Sequence, residues 1–102
     1  MSKKSKQGFL VFLRQLSKMG FYDILLHIKD NPNVHYNEVL KHSLEKEIVG
    51  GRASITIVLN GLTGLGLLDR VISQDRPIRT TYNITEKGNK VLRHFKELES
   101  LF

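Results

Sequence analysis

The clearest hydrophobic pattern lies in the middle of the chain, where a helical repeat changes into two short alternating segments. Between Arg52 and Leu65 the apolar residues recur at the helical spacing i, i+4, i+7, and they are Ile55, Val58, Leu59, Leu62 and Leu65. Residues 67–73 and 80–84 then alternate between apolar and polar positions, which predicts two strands. Gly66 marks the turn into the first strand, and Pro77 stiffens the polar tip between the two. The pattern therefore predicts an amphipathic helix followed at once by a β-hairpin.

Helical spacing continues on both sides of this central stretch. A first helix, predicted to begin at Gly8, is apolar around much of its circumference, which indicates burial on more than one side. Gly20 separates it from a second helix over residues 21–29. Asn37 is predicted to cap a short third helix over residues 38–42. Thr85 is predicted to cap a last helix whose apolar stripe reaches the end of the sequence.

These elements predict an α+β fold that is mostly helical: a winged helix-turn-helix with additional N- and C-terminal helices that form a dimer interface. We predict a disordered basic arm over residues 1–7 and a single winged-helix domain over residues 8–102. Within the domain, the helix-turn-helix spans about 37–65, the wing about 67–84 and the C-terminal dimerisation helix about 85–102. The residues predicted to form the homodimer interface are Phe9, Phe12, Leu13, Leu16, Phe95, Leu98 and Phe102.

Charge changes this picture by indicating the partner. A chain of 102 residues with a net charge of +6 favours an acidic partner, and nucleic acid is the first such partner to consider. The first 20 residues carry five basic side chains and no acid, whereas residues 51–83 carry four Arg against two Asp. The basic arm fits two interpretations equally well, a solvated tail or an arm that touches DNA.

Composition and motifs argue against catalysis and against cofactors. The chain has no Cys, which removes disulfides, thiolate catalysis and Cys-ligated zinc. Its four His residues show no metal-ligand spacing, so we expect neither a metal nor a cofactor, and no enzyme. No apolar run reaches the ~18 residues of a membrane span. The apolar run near the start is interrupted at Arg14 and no cleavage site follows, so we expect no membrane partner and a cytoplasmic location.

The outer face of the predicted helix over residues 52–65 carries side chains that suit the major groove. Arg52 can donate to guanine, Asn60 can pair with adenine, and Ile57 can contact a thymine methyl. The competing interpretation is the ordinary solvent face of an amphipathic helix, and an outward Ile argues against it. The candidate DNA-contacting residues are Arg52, Ala53, Ser54, Thr56, Ile57, Asn60, Arg76, Arg79, Lys41 and His42.

Four of the candidates lie outside this helix. Arg76 and Arg79 flank Pro77 at the wing tip, which suits a minor groove or a phosphate, although Arg residues also protect sheet edges from pairing. Lys41 and His42 are placed to contact phosphate, and a solvated charge cluster explains them about as well.

The order of residues from Leu59 onward resembles that of winged-helix regulators of the MarR/HxlR-like superfamily. The residues that carry the resemblance are Leu59, Leu62, Gly66-Leu67, Arg70, Pro77, Tyr82, Thr85-Glu86-Lys87-Gly88 and Val91-Leu92. The resemblance covers about residues 21–102 and implies a recognition helix, a wing and a dimerising C-terminal helix. HxlR-type proteins commonly carry an N-terminal Cys and a Trp, and this chain has neither, so a redox-sensing role is not expected.

The sequence thus predicts a sequence-specific double-stranded DNA-binding protein, a homodimeric transcriptional regulator. It would insert helix 52–65 into the major groove and the 74–79 wing at the minor groove or phosphates, with half-sites ~34 Å apart. The alternative is a winged-helix protein–protein assembly module of a larger complex without its own DNA site. A further alternative is a repressor that responds to a small-molecule effector of unknown identity.

Overall fold

Five helices and three short strands make up the part of the chain that the computed structural model describes, which is residues 3–18, 20–48 and 51–102. The helices are α1 (Lys3–Leu16), α2 (Phe21–Asp30), α3 (Tyr36–Glu45), α4 (Arg52–Gly64) and α5 (Glu86–Glu99). The strands are β1 (Val34–His35), β2 (Leu68–Ile72) and β3 (Thr80–Ile84), and they form an antiparallel sheet in the order β1-β3-β2. Helices α3 and α4 form a helix-turn-helix, and β2, β3 and the loop between them form a wing. The predicted fold, a mostly helical α+β winged helix-turn-helix with additional N- and C-terminal helices, is confirmed.

The turn from α4 into the wing depends on Gly66. Its φ of 79° lies in the left-handed region, which costs a glycine little. The amides of Gly66 and Leu67 donate to the carbonyls of Thr63 and Leu62 at 3.0 Å, and these bonds close the last turn of α4. The chain therefore reverses within two residues of the helix end and enters β2 directly.

The core lies between α2, α3, α4 and the inner face of the sheet. The fully buried residues include the predicted apolar face of α4, apart from Leu65, which is half-buried. The largest buried side chains are Phe21, Ile24, Leu25, Ile28, Ile55, Leu59, Leu62, Leu67, Leu68 and Leu92. Burial of these side chains fixes α4 with its opposite face toward solvent.

Helices α1 and α5 are held on α2 by an aromatic cluster. The ring of Phe12 stacks on Phe95 with centroids 5.7 Å apart and meets Phe21 edge-on at 6.0 Å. Tyr22 meets Phe95 edge-on at 5.4 Å. Aromatic pairs in these geometries add roughly 0.5–1.5 kcal/mol each to the burial of their area. The two terminal helices are therefore neighbours on one side of the domain.

Thr85 joins the start of α5 to the end of α4. Its hydroxyl accepts from the amide of Gly88 at 3.0 Å, which confirms the predicted N-cap, and donates to the carbonyl of Gly66 at 2.6 Å. Its own amide donates to the carbonyl of Leu67 at 3.0 Å. The ammonium of Lys87 adds a bond of 2.8 Å to the carbonyl of Leu65. These bonds link α5 to the α4–β2 turn.

Two predicted boundaries were wrong. The disordered arm was predicted over residues 1–7, yet α1 already begins at Lys3, while residues 1 and 2 lie outside the described residues. Lys, Ser and Gln tolerate a helix that is extended from an apolar segment, so the polar start does not stop it. Asn37 was predicted to cap α3, but the N-cap is His35, and α3 continues to Glu45. Pairing of β1 with β3 holds His35 extended, and the helix therefore starts one residue later, at Tyr36.

Candidate nucleic-acid interface

Helix α4 presents two chemically distinct faces. Ile55, Val58, Leu59 and Leu62 are buried in the core. The six residues predicted to face DNA are all exposed, and they are Arg52, Ala53, Ser54, Thr56, Ile57 and Asn60. Ile57 is the unusual member of this face, because isoleucine is usually buried in a protein core and here 52% of its surface is exposed. The exposed face is therefore mostly polar, with one large apolar side chain, Ile57.

The first turn of α4 is electropositive. Gly51 is the N-cap and provides no side-chain cap, and the turn contains Arg52 and no acidic residue. Unpaired amides at a helix start carry partial positive charge, which Arg52 reinforces. Such a start favours an anionic partner.

Two of the predicted contact residues are tethered to side chains that were not among the predicted contact residues. The hydroxyls of Thr56 and Tyr36 lie 3.0 Å apart, which joins α4 to α3. The amide oxygen of Asn60 accepts a hydrogen bond from the guanidinium of Arg70, which joins α4 to β2. No local signal marks Tyr36 or Arg70, because their partners are 20 and 10 residues away in the sequence. Thr56 and Asn60 are consequently held in place before any ligand arrives.

The wing carries both predicted Arg residues on its exposed loop. Arg76 and Arg79 are exposed, and the amide of Ser73 donates to the carbonyl of Arg79 at 2.7 Å, which closes the base of the loop. An open cleft of about 520 Å³ separates the loop from the start of α3, and Arg79 and Asn37 line opposite sides of it. The tip of the wing thus lies across this cleft from the first turn of α3.

The two candidates on α3 differ from each other. Lys41 is exposed, as expected of a phosphate contact. His42 is half-buried, and its ring stacks on His27 with centroids 3.9 Å apart and an angle of 9° between the planes. Burial and the neighbouring His42 both lower the pKa of His27, while Asp30 and Glu38 oppose them. The imidazole of His42 is therefore packed between helices, in a place that its sequence neighbours did not indicate.

Four of the seven residues predicted for a dimer interface line one groove. A groove of about 730 Å³ runs between α1, α5 and the end of α4, and it is lined by Phe9, Phe12, Phe95 and Leu98. Phe9 and Leu98 are 58% and 54% exposed, whereas Phe12, Leu16 and Phe95 are half-buried. Leu13 and Phe102 are also exposed. Most of the predicted set is thus exposed apolar surface on the terminal helices.

Neither a membrane span nor a metal cluster is found in the described residues. Within these ranges, no helix is both long enough and apolar enough to cross a bilayer. Across residues 3–18, 20–48 and 51–102, no cluster of three or more His, Asp or Glu side chains is placed to hold a metal ion.

Comparison with known proteins finds solved structures that have a similar fold. No family model matches the sequence, and no curated protein matches it. Among solved structures, a protein assigned to the MarR family of transcriptional regulators, from Porphyromonas gingivalis W83, matches with a TM-score of 0.65 and 22% identity. The alignment covers 86% of this chain and 81% of that protein.

Two further solved structures have the same architecture. A PadR-like transcription factor from Bacteroides fragilis matches over 97% of this chain and 95% of its own, with a TM-score of 0.61 and 17% identity. A conserved protein of unknown function, described as a potential transcriptional factor, matches with a TM-score of 0.63 and 27% identity, over 79% of this chain and 75% of its own. The winged-helix fold predicted from the sequence is thus shared with these solved structures.

Proposed function

We propose that this chain is a homodimeric, sequence-specific DNA-binding transcriptional regulator. Helix α4 enters the major groove, and the wing loop contacts the minor groove or the adjacent phosphates. Two copies then present their α4 helices to half-sites ~34 Å apart, one turn of the duplex.

The observation that carries this proposal is the exposed face of α4. Its electropositive first turn suits a phosphate or a guanine, and Ile57 suits a thymine methyl. A helix that only covers the core would expose Lys and Glu in place of Ile57, Ser54 and Ala53. The relatives by fold include proteins described as transcriptional regulators, which supports the same function.

The wing and the charge distribution support the proposal from a second side. Arg76 and Arg79 are exposed on the loop next to α3, and Lys41 is exposed on α3 itself. The first 20 residues add five basic side chains without an acid. Phosphate contacts of this kind position a protein on DNA without reading sequence.

Dimerisation is proposed from the apolar surface of the terminal helices. Phe9 and Leu98 are more than half exposed on the rim of the groove between α1 and α5, and Leu101 is 77% exposed at the end of the chain. A second copy that packs against this groove would remove these side chains from water. Symmetric pairing would also fix the spacing between the two α4 helices.

The test is a binding titration on a selected duplex and on random duplex across a salt series. Arg52→Ala should lower affinity for the selected duplex by ~1–3 kcal/mol and affect random duplex less. The matched contrast, Arg76→Ala combined with Arg79→Ala, should lower affinity for both duplexes and reduce the salt slope by about 0.9 for each lost phosphate contact.

Equal losses for Arg52→Ala on both duplexes would remove its base-reading role. The rival proposal, an assembly module without its own DNA site, predicts little binding to either duplex at any salt concentration. Weak, salt-independent binding of the unmodified chain would therefore favour the rival.

A further inference from the structure

Arg70 on β2 reaches across to the exposed face of α4. Its terminal nitrogen donates to the amide oxygen of Asn60, and both side chains are otherwise exposed. An Arg side chain has five N–H donors and no acceptor, so the atom of Asn60 that faces it must be the oxygen and not the nitrogen. The chemistry of Arg thereby fixes which way the amide points.

Arg70 is itself held in place by a buried tyrosine. Its Nε donates to the hydroxyl of Tyr82 at 3.3 Å, and its guanidinium carbon lies 5.6 Å from the centre of the Tyr82 ring. Tyr82 is only 3% exposed, and it pairs with Arg70 across β2 and β3 and with Val34 across β3 and β1. The central strand of the sheet therefore supports the guanidinium, which in turn supports Asn60.

The orientation of the Asn60 amide determines which of its groups faces a ligand. Its oxygen is directed at β2, and its NH₂ group makes no hydrogen bond to any residue in the described part of the chain. Pairing with adenine in the major groove uses both halves of an amide, the NH₂ toward N7 and the oxygen toward the N6 amino group. Guanine presents two acceptors, N7 and O6, and therefore needs only the NH₂.

We propose that Arg70 is a specificity-determining positioning residue that holds the oxygen of Asn60 toward β2 and leaves its NH₂ group to meet the base, which selects guanine over adenine at that base. This inference rests on the proposed function, because it requires α4 to lie in the major groove. It replaces the expected pairing of Asn60 with adenine. The wing thus contributes to sequence choice through β2 as well as through its loop.

Two variants of the full chain test the inference on duplexes that differ only at the base pair opposite Asn60, which is located by selection from a random pool. Asn60→Asp keeps an oxygen for Arg70 and replaces the NH₂ with a second acceptor. The preference should then change from guanine to a base with an amino donor, cytosine or adenine. Arg70→Met frees the amide to rotate, so the preference should flatten by on the order of fivefold at that base pair alone.

Arg76→Met is the matched control, since it removes a wing Arg that lies on the loop and not beside Asn60. It should lower affinity for all duplexes by the same factor. Tyr82→Phe, which removes only the hydroxyl beneath Arg70, should flatten the preference less than Arg70→Met does.

Three results would overturn the inference. Arg70→Met could lower affinity equally on all duplexes, which would make Arg70 a phosphate contact. Asn60→Asp could leave the base preference unchanged, which would show that Asn60 reads no base. A parent chain that selects no sequence from the pool would instead refute the proposed function itself, and the two failures are therefore distinguishable.

Discussion

Gly88 is the position where one methyl group should have the largest effect on stability. It is buried in the first turns of α5, directly against the start of the wing. A Cβ built at this position would lie 2.6 Å from Cγ1 of Ile84 and closer still to the carbonyl oxygen of Leu67. That oxygen already accepts the amide of Thr85 at 3.0 Å, so it cannot rotate away without breaking the link between α5 and the α4–β2 turn. Gly88→Ala must therefore push α5 away from Leu67 and from Ile84 at the end of β3.

The expected magnitude is the difference between two opposing effects. Overpacking typically costs ~1–3 kcal/mol, and the obstacle here is backbone, which favours the upper end. Replacing a helical Gly with Ala returns about 1 kcal/mol. We expect a net loss of ~2 kcal/mol, which lowers the unfolding temperature of a domain of this size by roughly 10 °C.

The measurement is thermal unfolding by circular dichroism, with Gly8→Ala as the matched control. Gly8 lies inside α1, and a methyl group added there would meet no atom within 4 Å, so the same substitution should raise stability or leave it unchanged. An unfolding temperature for Gly88→Ala equal to or above that of the parent would refute the reasoning, because it would mean that α5 does not press against Leu67.

Two further predictions concern assembly and pH. Leu98→Glu on the groove side of α5 should raise the dissociation constant of the proposed dimer by on the order of 100-fold or more, because it places a charge where the dimer would bury an apolar side chain. Sedimentation, which measures the mass of the assembly, tests this. Arg93→Glu, on a different face of the same helix, should leave the dimer intact, and a dimeric Leu98→Glu would rule out this interface. Burial beside His42 lowers the pKa of His27, so the folded state binds this proton less readily than the unfolded chain does. The contribution of neutral His27 to the stability of the folded state should be fully present above the unfolded pKa of ~6.5. It should decrease as the pH drops below that value. In His27→Gln, the free energy of unfolding, measured by denaturant titration, should decrease less between pH 7.5 and 5.5 than in the parent. An equal decrease would exclude His27 as the source of the pH dependence.

The elements were predictable from the sequence because their signals are local. The spacing of Ile55, Leu59 and Leu62 predicted α4 to within one residue, and Thr85 predicted the start of α5. The strand Thr80–Ile84 was also predicted with its observed bounds. Each of these signals lies within a few residues of the structure that it specifies.

The connections between elements were not predictable in the same way. The bond from Arg70 to Asn60, the pair formed by Tyr36 and Thr56, and the stack of His27 on His42 all depend on how helices and strands meet. Spacing along the sequence contains no information about such contacts, because the position of a residue within its own element does not show which other element it meets. The exposed face of α4 could therefore be predicted as a set of side chains, but not the orientation in which Asn60 is held.

The bonds around Thr85 have a mechanical consequence. Its hydroxyl and amide, together with the ammonium of Lys87, attach the start of α5 to the carbonyls of Leu65, Gly66 and Leu67. A hinge needs a few residues whose backbone can change direction freely, and this junction has every carbonyl of the turn engaged. A movement of α5 should therefore also move the end of α4, because these bonds connect the two helices. A partner that binds α5 should therefore also affect the orientation of α4.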